Sequence, residues 1–178
     1  MISSKRILTL AFNFVLIMNE VKYFAYGSNL RLDQMRDRGV NVKKSQRAEL
    51  PEWKITFPIY SEGWGGGVAD IVPDSKERVE GVVYTIEEES LRNLDHYEGR
   101  ELKDGREFGM YRRQYIPVSI EGKWKTVLTY VVNLAVEEKK ERYLSPSKKY
   151  LETIIIGARE HGLDSDYIER LKKIPCDE

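Results

Sequence analysis

Tyr23-Phe24-Ala25-Tyr26-Gly27-Ser28-Asn29-Leu30 is the stretch on which the fold turns. It starts as an aromatic-rich strand and breaks at Gly27-Ser28-Asn29, where glycine frees the backbone from a Cβ clash and Ser and Asn favour turns and caps. Asp33-Gln34-Met35-Arg36-Asp37-Arg38 then reads as a short helix. A strand that enters a helix through such a turn leaves backbone N–H groups unpaired at one point, which suits a carboxylate or phosphate ligand. The same residues also fit an ordinary strand–helix connection. With one glycine and no Gly-Lys-Ser/Thr after it, the turn is neither a Walker loop nor a dinucleotide loop.

Composition narrows the rest. A chain of 178 residues is long enough for one domain with a real core. Its 29 Lys and Arg balance 29 Asp and Glu, so there is no general pull toward nucleic acid or an anionic membrane. Cys176 is the single cysteine, so it forms no internal disulfide, and with two histidines it offers no clear metal set. A reducing cytoplasm fits this usage.

At the start of the chain, Lys5-Arg6 precede the apolar run from Ile7 to Met18. That run is shorter than the roughly 20 residues a spanning helix needs, so no stable membrane insertion is expected. It has the length of a signal-peptide core, yet Asn19-Glu20-Val21-Lys22 follows with no small-residue cleavage site. Residues 1–18 therefore read as an apolar extension that packs on the domain or serves as a signal, or else residues 1–17 are sequence upstream of a true start at Met18. Residues 19–178 are expected to form a single domain.

Short strands come next. Ser45 to Leu50 and Trp53 to Pro58 flank an expected turn at Pro51-Glu52, and Ser61 to Gly67 is a glycine-rich loop. Val68 to Val72 and Val79 to Ile86 flank Pro73-Asp74-Ser75, and Tyr111 to Ile120 and Trp124 to Val132 form a hairpin across Glu121-Gly122-Lys123. Such strands predict a largely antiparallel sheet or barrel. Helices close the chain. One opens at Ser145-Pro146, puts Tyr150, Ile154 and Ala158 on one face and ends at His161-Gly162; a shorter one runs from Ser165 to Ile174.

One carboxylate stands out. Thr85-Ile86-Glu87-Glu88 has the spacing of a capping box, which predicts a helix from Thr85 to Glu98 that stops at Gly99. At roughly 100° per residue, Leu91 and Leu94 mark its buried stripe, and Glu98, seven and four positions on, points along that stripe. Burial raises a carboxyl pKa unless cations or donors compensate, a useful property in a group that takes and returns a proton. Alternatively Glu98 frays into water or pairs with a cation such as Arg112. The 11 tyrosines are the other surplus, with Tyr23, Tyr26, Tyr84, Tyr111, Tyr115 and Tyr130 in strands.

Tyr-Gly-Ser-Asn-Leu at 26–30, Gly-Gly-Val-Ala-Asp at 66–70, Glu-Gly-Val-Val-Tyr at 80–84 and Leu-Asp-His-Tyr-Glu-Gly at 94–99 occur in that order. Met110-Tyr111, Pro-Ser-Lys-Lys-Tyr-Leu at 146–151 and Gly-Ala-Arg-Glu-His-Gly-Leu at 157–163 complete the set. Together they resemble the γ-glutamyl cyclotransferase family, including its γ-glutamylamine cyclotransferase-like, AIG2-like branch, over about Val21 to Ile174.

The resemblance implies an α+β fold, a small, mostly antiparallel β-barrel flanked by helices, with the site at the barrel mouth. It implies that Glu98 is the catalytic carboxylate. Tyr23, Phe24, Ala25, Tyr26, Gly27 and Ser28 would line the substrate pocket, with the loop backbone holding the glutamyl carboxyl end, and Tyr130 would be a pocket tyrosine. The implied reaction is attack by the α-amine of a γ-glutamyl group on its own γ-carbonyl, giving 5-oxoproline and a free amine with no metal, cofactor or covalent intermediate. The implied partner is a small γ-glutamyl compound and not nucleic acid, in a cytoplasmic enzyme for which a homodimer is compatible. Two alternatives stay open: a non-catalytic binding or interaction protein on the same scaffold, and a lyase acting on a different γ-glutamyl conjugate. The charged segment from Arg100 to Gly109 lies outside the pattern, as a substrate-selecting lid or a solvated loop.

Overall fold

The computed structural model describes residues 19–177. The readings of the apolar run before Asn19 lie outside the described residues.

Five strands form the body. β1 (Glu20–Ala25), β2 (Val42–Ser61), β3 (Gly66–Glu87), β6 (Tyr111–Ile120) and β7 (Lys123–Val132) curl into a barrel in the order β1-β3-β2-β6-β7. β1 runs antiparallel to β3, from Glu20 opposite Glu87 to Ala25 opposite Val82. It meets β7 in parallel at Tyr23 and Leu128, which closes the ring. The seam between β2 and β6 is equally thin, a single pairing of Glu49 with Ser119. The expected mostly antiparallel barrel is therefore present, sealed at two narrow points.

β2 and β3 are each far longer than the sequence suggests. Pro51-Glu52 makes no turn: β2 passes through it with a register shift between Pro51 and Trp53, and Glu52 takes a left-handed φ of 62°. This is a bulge. A bulge bends a long strand around a barrel, and it is one of the few places in a sheet where proline's missing N–H does no harm. Pro73-Asp74-Ser75 likewise stays inside β3. The glycine-rich stretch at the β2–β3 turn serves packing. A Cβ on Gly67 would sit 2.1 Å from the Leu144 carbonyl oxygen, so only glycine lets β3 start beneath the segment that leads into the C-terminal helices.

The helices cover the barrel. α1 (Leu32–Asp37) follows a 3-10 turn at Ser28–Leu30, and α2 (Leu91–Tyr97) follows another at Glu88–Ser90. The expected helix start at Thr85 is thus corrected: Thr85 pairs with Lys22 across β1–β3, and the helix begins at Leu91. Strand pairing over six residues outweighs a local capping pattern. α4 (Lys148–Glu160) starts two residues later than expected, capped by the Ser147 hydroxyl, which accepts from Tyr150 N–H; Pro146 lies outside it. Tyr150, Ile154 and Ala158 are buried as their spacing predicts. α5 (Ser165–Lys172) is capped by Asp164.

Two elements were not anticipated. α3 (Val136–Glu141) plants Lys139 against Asp70 of β3, Nζ to Oδ2 at 2.9 Å, with both side chains almost fully buried. Arg100 to Gly109 is a hairpin, β4 (Arg100–Lys103) and β5 (Arg106–Gly109), turning at Asp104-Gly105 with both residues at positive φ.

Candidate active site

The end of β1 and the turn after it form one wall of a small cavity. Tyr23, Tyr26, Gly27 and Ser28 line it together with Asn29, Ala69 of β3, Glu98 after α2, Tyr111 and Tyr130 of the β6–β7 hairpin, and Tyr150 of α4. Its volume is about 30 Å3. Phe24 and Ala25 do not line it: both are buried in the barrel core behind it, and Phe24 lends its carbonyl to the Thr129 hydroxyl at 2.9 Å. A Cβ on Gly27 would meet both Ala69 Cβ and the Tyr150 hydroxyl at 3.3 Å, so a side chain there would intrude on the cavity. A larger open cavity, about 600 Å3, lies at the β2–β6 seam with mixed charges such as Lys44, Arg47 and Glu49, away from the tyrosines.

Glu98 is the one carboxylate among the described lining residues. It caps the C-terminal end of α2, where Leu91 and Leu94 bury their side of the helix and carry Glu98 inward with them. The expected orientation along that stripe is met, and the cation beside it is Arg38 instead of Arg112. Oε1 accepts from Arg38 Nη1 at 2.8 Å and from Asn29 Nδ2 at 2.9 Å. Oε2 makes no hydrogen bond among the described residues. Burial pushes the carboxyl pKa up, Arg38 and Asn29 pull it back, and Asp95 adds a smaller upward push; the balance is a raised value. An acid held between opposing forces, with one oxygen free, can exchange a proton at modest cost.

Asn29 is the hub of the wall. Its amide nitrogen also donates to the Tyr23 hydroxyl at 2.8 Å, and its carbonyl oxygen accepts from Arg38 and from Gln34. Gln34 in turn donates to the Ser28 hydroxyl at 2.7 Å. α1 thus reaches back to brace the turn it follows.

The tyrosines hold backbone as much as they line space. Tyr26 donates to the Tyr130 carbonyl at 2.6 Å, and Tyr111 donates to the Ala69 carbonyl at 2.6 Å. Tyr150 accepts from Ala69 N–H at 3.0 Å, so Ala69 is gripped from both sides. Tyr130 donates to Asp95 at 2.7 Å and meets the Tyr23 ring edge-on at 5.8 Å. Asp95 is held by Arg113 through both oxygens and by Arg100. Burial raises the tyrosine pKa values, Tyr150 to about 12, so these hydroxyls are neutral donors and not bases near neutral pH. No group of three or more His, Cys, Asp or Glu that could hold a metal occurs among the described residues.

Sequence reasoning missed Asn29, Arg38, Asp95, Tyr111 and Tyr150 as site residues. Asp95 carried a usable signal, since three positions before Glu98 places it on the same helix flank. Arg38 carried none: it is the C-terminal cap of α1, 60 residues from its partner.

Comparison with known proteins supplies the context. The AIG2-like family model matches residues 78–171. The γ-glutamylcyclotransferase of Mus musculus is 34% identical over 163 residues, covering 88% of this chain and 79% of that protein. The γ-glutamylcyclotransferase of Homo sapiens is 34% identical over 159 residues, covering 85% and 77%. A solved γ-glutamyl cyclotransferase structure superposes with a TM-score of 0.75 at 30% identity, over 90% of each chain.

Proposed function

The chain belongs to the γ-glutamylcyclotransferase family, and from that premise we propose that it closes the γ-glutamyl group of an amino acid or amine conjugate into 5-oxoproline and releases the free amine. The observation that carries this is the buried Glu98 carboxylate on the cavity wall, with Oε1 held by Arg38 and Asn29 and Oε2 without a hydrogen bond among the described residues.

The chemistry asks little beyond placement and one proton carrier. Folding the substrate so that its α-amine meets its γ-carbonyl makes the attack intramolecular, a large part of the catalysis. The amine arrives as an ammonium and must lose a proton; the departing nitrogen must gain one. Glu98 Oε2 takes the first proton, and the same carboxyl returns it to the leaving nitrogen. Arg38 and Asn29 keep Oε1 fixed meanwhile. The backbone of Gly27 and Ser28 faces the α-carboxylate end. Tyr23 on the same wall and Tyr130 of β7 line the pocket beside them, with Phe24 and Ala25 supporting from behind. At about 30 Å3 the cavity holds a water or two, so substrate entry displaces side chains at its mouth.

No cofactor enters this scheme. All of these residues fall within 19–178, the unit to which the activity is assigned. With its one thiol at the exposed Cys176, the chain suits a cytoplasmic setting, and no helix among the described residues is long and apolar enough to cross a membrane. The test is release of 5-oxoproline across a panel of γ-glutamyl compounds. Release with a chromatographically matched free amine supports the assignment; binding of those compounds with no product would point to a non-catalytic ligand-binding protein.

A further inference from the structure

Glu98 stands on a partition. Together with Ser28, Tyr111 and Tyr150 it lines the inner cavity and also a second one, of about 70 Å3, on its other side. The walls that belong to the second chamber alone are Ser61, Trp64, Val68, Tyr97, Met110 and Arg38.

Those walls are held in place. The Trp64 carbonyl accepts from the Ser147 hydroxyl at 2.5 Å, and its ring meets Tyr150 edge-on at 4.9 Å. Met110 follows the β4–β5 hairpin. Its N–H donates to the Gly99 carbonyl at 3.0 Å, one residue past Glu98, so the base of the hairpin pins Met110 beside the acid. The one cation is already matched, because Arg38 bonds Glu98 and Asn29 and lies 5.0 Å over the Tyr97 ring. Beyond Met110 the surface continues into a cavity of about 470 Å3 with Ile59, Tyr60, Leu134 and Leu144 on its walls.

Resting on the cyclotransferase reading, we propose that this second chamber is the subsite for the released amine and that it selects amines bearing an apolar side chain. With the glutamyl group in the inner cavity, the scissile nitrogen lies at the partition beside Glu98. The rest of the amine then has only the outer side to occupy. A charged side chain there would leave water for Trp64, Val68 and Met110, with the lining cation Arg38 already committed to Glu98 and Lys149 reaching only the Trp64 ring, 5.9 Å from its centroid, whereas an apolar one gains by the same transfer. Discrimination by such a pocket is worth on the order of tenfold or more between side chains.

The test compares kcat/KM for 5-oxoproline release from γ-glutamyl-leucine, γ-glutamyl-glycine, γ-glutamyl-aspartate and γ-glutamyl-isopentylamide. The leucine compound should exceed the glycine compound by on the order of tenfold and the aspartate compound by more. If the isopentylamide matches leucine, the subsite takes apolar amines in general; if it does not, it takes apolar amino acids. Either outcome supports the subsite. Met110→Lys, at a half-exposed position, should shift preference toward aspartate, and Trp64→Ala should collapse the leucine-to-glycine ratio toward one, each checked by melting. Turnover with a flat profile, or ratios unmoved in both folded variants, would overturn the subsite alone. Absence of 5-oxoproline from every compound would overturn the cyclotransferase reading beneath it.

Discussion

Arg38 Nη1 lies 2.8 Å from Glu98 Oε1, and the two side chains are only 13% and 14% exposed. The pair joins the end of α1 to the end of α2 and sets the charge balance of the acid. Burial alone would favour the neutral carboxyl; the guanidinium and the Asn29 amide oppose that. The outcome of that opposition is a carboxyl whose pKa lies above its ordinary value.

That balance predicts a pH profile. Glu98 acts as a base in its ionised form, and its pKa is raised, so the acidic limb of kcat/KM should lie above the ordinary carboxylate value of 4.5. Arg38→Met removes a cation that favours ionisation, so the limb should move to higher pH. A limb that stays put in folded Arg38→Met would mean that another group titrates there.

Asp95→Asn should move the same limb the other way. Asp95 pushes the Glu98 pKa up, so losing its charge lets Glu98 ionise at lower pH. The substitution also weakens the acceptor for the Tyr130 hydroxyl and for Arg113. KM should therefore rise as well, because Tyr130 then loses its fixed position. Opposite limb shifts in Arg38→Met and Asp95→Asn are the signature to look for in one titration series.

Lys139 and Asp70 offer a test away from the chemistry. Removing one partner of a buried pair costs about 3–5 kcal/mol, so Lys139→Met should lower the melting point markedly. Its size should depend on pH. The Asp70 pKa is already raised above 3.8 by burial, and losing Lys139 raises it further. A raised folded-state pKa means stability that is present in acid and lost as pH rises through that value. The deficit of Lys139→Met should therefore shrink as pH falls toward 4. A deficit constant across pH, read by melting curves, would show that Asp70 is not left charged.

Gly27→Ala adds a methyl group that meets Ala69 and the Tyr150 hydroxyl at 3.3 Å. Those neighbours must shift by a few tenths of an ångström at the cavity itself. kcat/KM should fall on the order of tenfold or more, since small misplacements at a reacting centre are costly, while melting changes little. Unchanged kinetics would remove the Gly27 backbone from the substrate wall.

How much of this was legible in the sequence depended on whether the deciding contacts were local. The inward turn of Glu98 was legible, because Leu91, Leu94 and Glu98 share one helix flank. The start of that helix was not: a capping pattern at Thr85 lost to strand pairing with Lys22, a partner 63 positions away. Pro51 and Pro73 do interrupt the β2–β3 pairing, which jumps from Pro51–Arg78 to Trp53–Pro73, but the chain stays extended on both sides, so β2 and β3 each run on as one strand where the local sequence reads as a turn. Asp104-Gly105 did carry a hairpin signal, masked by the charged residues around it. Arg38, Asn29 and Tyr150 became site residues only through tertiary contacts. Their roles follow from where α1 and α4 dock, which no periodicity announces.

The central claim is that Glu98 carries the proton from the attacking amine to the leaving one. The most direct measurement is 5-oxoproline release by Glu98→Gln from a γ-glutamyl dipeptide at saturating substrate, beside melting curves and the exposed controls Glu88→Gln and Glu89→Gln. Glutamine keeps the shape and the Arg38 and Asn29 contacts within reach but cannot accept the ammonium proton. Turnover of Glu98→Gln should fall on the order of 10²-fold or more, with both controls at wild-type rate. Wild-type turnover by a folded Glu98→Gln would contradict the account.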